Sequence, residues 1–172
     1  MNARAGVVTS QVAWLASLPL LARGPTLEAS FKGAAAGFVV AAFASFLPDI
    51  DHPGSTIGRY FPRWVRRALG GHRMGGHSLW MVGFCWWLTG YLLGNPIVAN
   101  AVALGCAVHV SIDMLTVDGV GVLYPLTRYT FRIGWITTGS RGEDWFVVFM
   151  KAVGGLFAVG YGFLFVQSFG GF

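Results

Sequence analysis

The residues of this chain that could do chemistry are few and lie close together. The chain has four histidines and seven acidic residues. All the histidines and four of the acids fall in the central part of the sequence: His52, His72, His77, His109, Asp49, Asp51, Asp113 and Asp118. Imidazoles and carboxylates together suit Zn, Mn or Fe, whereas Ca and Mg prefer shells made of oxygen alone. The set predicts a site for one or two divalent metal ions, with zinc favoured.

Three short stretches carry these residues. His109 and Asp113 are four residues apart in an apolar segment, so they share one helix face and can share a ligand. His72 and His77 lie in the glycine-rich stretch GHRMGGHS, which can bend until the two imidazoles converge. PDIDHP, residues 48–53, follows an uncharged run and adds two aspartates. The predicted metal ligands are Asp49, Asp51, His72, His77, His109 and Asp113.

Each of these residues taken alone has an ordinary structural explanation. PDIDHP could be a turn closed by aspartate side chains, and His52 within it is expected to face water. The fact that these histidines and aspartates occur together favours a metal site. Carboxylates at the edge of an apolar region of low dielectric constant are energetically costly unless they are paired or bound to metal. The sequence contains no P-loop, nucleophile elbow or dinucleotide fingerprint. We expect no nucleic acid as a partner.

The elements that must position these residues are membrane helices. Of the 172 residues, 55% are apolar and 11% are charged, against about 25% charged in an average soluble protein. The apolar segments are residues 7–22, 33–47, 78–94, 96–115 and 145–169. The first two fall short of the roughly 20 residues that cross a bilayer, so three spans are secure and five are the upper limit. We expect one all-α domain, residues 1–172, forming a multi-pass membrane helix bundle of about four or five apolar helices.

The basic residues predict an orientation for this bundle. Threading the five segments through a membrane places Arg23 and Lys32 on one side. The other side, which carries the histidines, has Arg4, Arg59, Arg63, Arg66, Arg67, Arg73, Arg128, Arg132, Arg141 and Lys151. Because Lys and Arg concentrate in cytoplasmic loops, the predicted site faces the cytoplasm.

The two polar connections between the segments also have patterns. Apolar and arginine residues alternate at helical spacing through residues 57–69, which predicts an amphipathic helix starting with Pro62 in its first turn and ending at Gly70 and Gly71. Such a helix lies in the interface, among anionic phospholipid headgroups, or packs as a solvated helix on the bundle. Residues 129–135 alternate as a short strand or hairpin would. Ser140 and Glu143 form a capping-box pattern before the last helix.

Three ordered motifs in this chain resemble those of the YdjM-like inner-membrane family of metal-dependent hydrolases. They are LPDIDHPGS (47–55), HRMGGHS (72–78) and HVSIDMLTVDGVGVLYP (109–125). TGSRGE, residues 138–143, is similar to a weaker feature of that family, and the likeness covers about residues 43–143. The resemblance implies a bacterial inner-membrane protein. It also implies a distant similarity to helical zinc-dependent phospholipases C and single-strand nucleases, which hydrolyse phosphoesters with clustered metals.

The resemblance implies the same six metal ligands, and it adds three residues. Arg73 and Ser78 lie within the second motif as groups that contact the substrate or support the ligands, and Glu143 gains a possible catalytic role beside capping. Two positions depart from the family pattern. A histidine is usual near the start of the first helix, where this sequence offers Thr9 and Ser10, and a threonine is usual at the position of Gly76.

These observations predict a membrane-bound metal-dependent hydrolase that acts on a phosphoester or lipid-linked substrate. A metal-bound water, its pKa lowered towards about 7, would attack the substrate. Asp51 would accept its proton, Arg73 would hold a phosphate, and Glu143 completes the catalytic candidates. Two other classes stay open: a metal or ion transporter, whose ionisable groups should lie near the bilayer midplane, and a non-catalytic metal-binding membrane protein.

Overall fold

A computed structural model describes residues 3–21 and 27–169 of the chain. Six α-helices make up most of this part: α1 (Ala3–Leu21), α2 (Leu27–Ala44), α3 (Arg63–Ala68), α4 (Leu79–Leu93), α5 (Pro96–Met114) and α6 (Arg141–Phe169). Short 3-10 turns occupy Leu47–Asp51, Gly58–Tyr60 and Gly75–His77. The expectation of an all-α membrane protein is confirmed, and the five longer helices correspond to the five apolar segments.

Helix α5 forms the centre of the bundle, because it packs against α1, α2 and α4, while α6 packs on α1. Small residues allow the helices to approach closely, as is common between membrane helices. Gly105 of α5 lies against the backbone of Ala41 in α2. Gly37 of α2 lies under the ring of Trp14, which is fully buried and donates from Nε1 to the carbonyl of Ala34 at 2.8 Å.

Three helical stretches are long and apolar enough to cross a membrane: Lys32–Asp51, Pro96–Met114 and Arg141–Leu164. The second apolar segment, expected to be short, reaches this length because α2 is extended by the turn at Leu47–Asp51. The third segment was expected to be a secure span, but α4 has 15 residues. Ser78 caps its start and Gly94, with φ 60°, ends it. A total of four or five spans stays a prediction, and Arg23 lies outside the described residues.

The amphipathic helix of the first connection is present but short, as α3. Pro62 is its N-cap rather than a first-turn residue, and the backbone leaves the helix through Gly70 and Gly71, which have φ 76° and 98°. Trp64 on this helix is 69% exposed. The described residues therefore leave most of the Trp64 side chain uncovered, while the location of α3 among headgroups stays a prediction.

The second connection, residues 115–140, contains no regular strand. Val120 and Phe131 exchange both backbone hydrogen bonds, at 3.0 and 2.9 Å, and Thr116 pairs with Ile136. The strand or hairpin expected over residues 129–135 is thus reduced to isolated bridges. Gly134 has φ 77°, which breaks the extended backbone between the two pairs.

Replacing Gly105 by alanine should destabilise the bundle, because the added methyl would press on Ala41 and lie 2.9 Å from the Cβ of Ala44. We expect a loss of about 1–3 kcal/mol in the free energy of unfolding, typical of overpacking. Gly83→Ala on α4 is the matched control, since nothing lies within 4 Å of its added Cβ. Thermal unfolding in mild detergent measures both variants, and equal midpoints would contradict the close α2–α5 contact.

Candidate metal centre

Three elements bring five of the six predicted ligands to the same end of the bundle, and His72 lies in the loop before the second of them. The 3-10 turn after α2, opened by Pro48, supplies Asp49 and Asp51. The turn Gly75–His77 before α4 supplies His77, and the last turns of α5 supply His109 and Asp113. Because α2 and α5 end where α4 begins, residues far apart in sequence converge at this rim. Asp51, His77, His109 and Asp113 are each at most 2% exposed.

Two imidazole nitrogens and two carboxylate oxygens face one another at the centre of this cluster. The Nε2 atom of His77 lies 3.6 Å from Oδ1 of Asp49 and 3.4 Å from Oδ2 of Asp113. The Nε2 atom of His109 lies 3.6 and 3.7 Å from the same two oxygens. Ligands held 2.0–2.1 Å from a tetrahedral ion lie about 3.3 Å apart. These separations are close to four of the six edges of such a tetrahedron, and Asp49, His77 and His109 are near enough to one another to share one ion, so the residues fit a zinc-like ion.

The hydrogen bonding of the two imidazoles supports the same reading. Nε2 of His77 and both ring nitrogens of His109 are buried and make no hydrogen bond of good geometry within the described part of the chain. A buried polar atom without a hydrogen bond lowers the stability of a folded protein by about 1–3 kcal/mol. Burial alone would lower the pKa of His77, but the neighbouring carboxylates of Asp113 and Asp51 outweigh it and raise the pKa to about 9. The cluster therefore favours a positive charge at this point.

Asp51 has a different position from the other predicted ligands. Its Oδ1 lies 2.9 Å from Nδ1 of His72 and its Oδ2 lies 3.3 Å from Nδ1 of His77. The first separation is that of a direct hydrogen bond and is shorter than a tetrahedral ligand edge. Asp51, His72 and His77 are also near enough to form a second ligand group. Their distances fit better a carboxylate that orients two imidazoles, as carboxylates beside metal-bound histidines do.

Gly76 is required by this arrangement. A Cβ at this position would lie 2.6 Å from Oδ2 of Asp51 and would also meet the carbonyl of Pro48. The threonine usual in the family would not fit this conformation without a shift of the Leu47–Asp51 turn. Glycine in place of the threonine usual in the family is therefore found where the motif LPDIDHPGS and the motif HRMGGHS are in close contact.

An open cavity of about 300 Å³ gives access to the cluster. Its lining includes Asp49, His52, Thr56, His72, Arg73, Asp113 and Thr138. Arg73 extends into it with a left-handed backbone, at φ 63°. Its guanidinium donates to Oγ1 of Thr116 at 2.9 Å and lies 3.3 Å from Asp118 and 3.8 Å from Asp113. The Arg73 guanidinium thus lies next to the predicted ligand Asp113 and faces the cavity.

His52 was expected to face water, but it contributes to the cavity wall. Its ring centroid lies 4.4 Å from that of His72, and its Nδ1 accepts a hydrogen bond from the backbone of Gly54 at 3.2 Å. Burial, and then the neighbouring His72, lower its pKa. The sequence places His52 directly after Asp51, which could have indicated that it lies near the cluster. The direction of its side chain, however, depends on the bend after the 3-10 turn, which the sequence does not show.

Ser78 and Glu143 have structural roles at the ends of helices. Ser78 caps α4, and its hydroxyl donates to the carbonyl of Gly75 at 2.8 Å. Glu143 is fully buried at the start of α6 and accepts from the backbone of Gly139 at 2.7 Å, while Ser140 caps the same helix. This contact holds the loop that carries Thr138 to the cavity. A catalytic role for Glu143 stays a prediction.

The first helix reaches the cluster through a residue that the sequence did not indicate. A Cβ on Gly6 would lie 3.3 Å from Nδ1 of His109. Ser10 instead donates to the carbonyl of Gly105 at 3.4 Å, and Thr9 is buried with its hydroxyl outside any hydrogen bond in the described residues. Neither Thr9 nor Ser10 supplies the histidine usual near the start of this helix; α1 instead approaches His109 at Gly6 and lines the cavity at Ala3.

Comparison with known proteins gives consistent matches. An uncharacterized protein of Bacillus subtilis, YvsG, is 32% identical over 105 residues, covering 60% of this chain and 66% of that protein. Inner membrane protein YdjM of Escherichia coli is 41% identical over 96 residues, 51% of this chain and 47% of its own length, as is that of Shigella flexneri. The chain thus matches less than two thirds of each relative. No solved structure gives a significant match.

The family comparison covers nearly the whole described chain. The sequence profile of the YdjM inner membrane protein family matches residues 6–169, which include all six predicted ligands and five of the six helices in full. The expected resemblance is confirmed over a longer stretch than the three motifs. From the ordered motifs, their convergence at one end of an apolar helix bundle and this match, we conclude that the chain belongs to the YdjM inner membrane protein family.

Proposed function

We propose that this chain is a membrane-bound metal-dependent hydrolase acting on a phosphoester or lipid-linked substrate. The observation that carries the proposal is a set of four ligand atoms, on buried His77, His109 and Asp113 and on partly exposed Asp49, whose four nitrogen–oxygen separations are 3.4–3.7 Å. Because these four residues would fill a tetrahedron, the attacking water would reach the ion as an additional ligand from the open cavity that Asp49 and Asp113 line, and catalytic zinc sites can expand to five ligands in this way.

His77, His109, Asp49 and Asp113 would hold the ion, and a donor set of two nitrogens and two oxygens suits zinc, with Mn or Fe as alternatives. When bound, a divalent cation supplies a Lewis acid and lowers the pKa of a water to about 7. The two carboxylates would offset its charge, while Arg73 pairs with Asp118 and Asp51 is hydrogen bonded to His72 and His77. A second ion at Asp51, His72 and His77 is less favoured, because Asp51 is already hydrogen bonded to both imidazoles.

The pair of Asp51 and His72 is the proposed acid–base group. Asp51 accepts from Nδ1 of His72, so it fixes the tautomer with Nε2 available to accept or donate a proton. His72 is 38% exposed and lines the cavity, whereas Asp51 is buried behind it. Asp51 was expected to take the proton itself. We now propose that it orients His72 and His77, and that Nε2 of His72 moves the proton.

Arg73 is the proposed contact for an anionic substrate. It is 14% exposed, it lines the cavity, and its planar guanidinium can bind two oxygens of a phosphate. Asp118, which is 62% exposed, now pairs with it and could be displaced by a stronger anion. The chemistry required of the substrate is therefore a phosphate or a similarly charged ester beside the metal ligands.

The location of the site also enters the proposal. The chain belongs to an inner membrane protein family and has long apolar helices, and threading its five apolar segments through a membrane predicts ten basic residues on the side of the site. We propose a multi-pass protein of the bacterial inner membrane whose site faces the cytoplasm and whose arginine-rich α3 contacts anionic headgroups. The clustering of the ionisable groups at one end of the bundle disfavours the transporter alternative, whose site would lie near the midplane.

Replacing Asp113 by asparagine should remove the bound metal. The amide is a weaker ligand, and the two imidazoles would lose a carboxylate 3.4 and 3.7 Å from their Nε2 atoms. We expect about one equivalent of zinc in the purified wild type, with less than a tenth of that and no phosphodiester hydrolysis in the variant. Asp144→Asn, an exposed acid at the start of α6, is the matched control. Elemental analysis showing equal metal in both variants would reject the site, and metal without turnover on any ester would favour the non-catalytic alternative.

Replacing His72 by alanine should separate metal binding from proton transfer. The metal content should stay close to that of the wild type, because His72 lies outside the four proposed ligands. Hydrolysis should fall by about 10²–10⁴-fold, the usual contribution of a general acid or base. Elemental analysis and rate measurements on the same preparation test this. Loss of metal together with activity would instead identify His72 as a ligand.

Labelling with a membrane-impermeant maleimide tests the orientation. In a background with Cys85→Ser and Cys106→Ser, a cysteine replacing Arg63 in α3 should react only in inverted membrane vesicles. A cysteine replacing Leu93 at the opposite end of α4 should react in right-side-out vesicles. The reverse pattern would place the site on the outer face.

A further inference from the structure

An apolar groove adjoins the polar cavity and has no part in the metal centre. It has a volume of about 510 Å³, within the range of roughly 300–1,000 Å³ for small-molecule sites. Its lining is almost wholly apolar and includes Val40, Phe43, Leu47, Thr56, Ile57 and Tyr60. It runs between α2 and the loop that follows the aspartate turn.

The groove and the cavity meet along two short pieces of chain. Thr56 lines both of them. On the 3-10 turn after α2, Leu47 faces the groove and Asp49 faces the cavity, only two residues apart. A single elongated molecule can therefore lie with an apolar part on Leu47 and a polar part at the metal ligands.

The mouth of the groove has the features expected where a protein faces lipid. Phe43 and Tyr60 are 69% and 74% exposed although both are large and apolar. The guanidinium of Arg59 lies 4.9 Å from the centroid of the Tyr60 ring, and Arg73 lies in the cavity beyond. An apolar channel with cations at its rim and at its inner end matches an anionic amphiphile.

We propose that the substrate is a membrane phospholipid, with one acyl chain in this groove and its phosphate in the cavity beside Arg73. The inference rests on the proposed hydrolase function and specifies its substrate class. Phospholipid enters from the bilayer along α2, passes Thr56 and presents its phosphoester to the metal ligands. Hydrolysis adds the elements of water across the phosphoester bond: the phosphorus gains one oxygen from water, and the leaving oxygen takes up a proton through His72.

Lipid retention tests the groove without requiring turnover. Metal-loaded protein in mild detergent is mixed with dioleoyl phosphatidic acid and examined by native mass spectrometry, in which bound phosphatidic acid and the bound diacylglycerol that its hydrolysis would yield are both counted as retained lipid. Ile57→Trp fills the groove from the loop side, and Val40→Trp fills it from α2. Val39→Trp is the matched control, because Val39 directly precedes Val40 on the same helix, is 52% exposed and does not line the groove.

We expect the wild type and Val39→Trp to retain one lipid molecule, as phosphatidic acid or its diacylglycerol product, and Ile57→Trp and Val40→Trp to retain at least tenfold less. Zinc content near one equivalent shows that a groove variant is folded, and Ile57 lies on a loop where a larger side chain does not enter the helix bundle. Equal retention in Ile57→Trp and the wild type would overturn the proposal, as would no retention by the wild type.

A second comparison uses the ratio of hydrolysis rates for long-chain and water-soluble short-chain phosphatidic acid. This ratio should fall at least tenfold in Ile57→Trp and stay unchanged in Val39→Trp; an unchanged ratio in both would overturn the acyl-chain assignment. If the wild type retains lipid but hydrolyses no ester, the proposed hydrolase function is wrong and the lipid site in the groove stands. If the wild type hydrolyses the ester but retains no lipid and shows no preference for chain length, the lipid site is wrong and the hydrolase function stands.

Discussion

The organisation of this molecule depends on the contact between buried carboxylates and imidazoles at one end of the helix bundle. Asp49, Asp51 and Asp113 lie within 3.7 Å of His77 or His109, and Asp51 and Asp113 are almost inaccessible to water. Charges in such a setting are costly unless they compensate one another or share a cation. That constraint explains why the turn after α2, the turn before α4 and the end of α5 must meet at one place.

The close packing of α5 makes this meeting possible. Because Gly105 lets α5 approach the backbone of α2, the residues one turn later on α5 are brought over the aspartate turn. Gly6 and Gly76 have the same effect nearer the site, where α1 and the histidine turn approach His109 and Asp51 without a side chain between them. The positions of the ligands are thus fixed by glycines that take no part in binding.

Within this frame the carboxylates have different roles. Asp49 and Asp113 face the gap between the imidazoles, whereas Asp51 is hydrogen bonded behind them to His72 and His77. The proposed enzyme uses this difference: one pair of acids for the metal, one acid for orientation, and His72 for the proton. In the proposed mechanism, the apolar groove beside Leu47 would join the same turn to the lipid phase, so that substrate access and chemistry would both depend on one short piece of backbone.

The sequence by itself determined the helical membrane class and the identity of the ligand candidates, because apolar content and the i, i+4 spacing of His109 and Asp113 depend only on local order. Tertiary structure decided where each candidate lies. The hydrogen bonds of Asp51 to His72 and His77 and the contribution of His52 to the cavity depend on side-chain directions at turns, whereas the approach of Gly6 to His109 depends on how α1 packs against α5. The strand expected over residues 129–135 is likewise reduced to isolated bridges. Its alternating apolar and polar residues do not decide the pairing, which depends on the partner residues across the loop and on the left-handed backbone of Gly134.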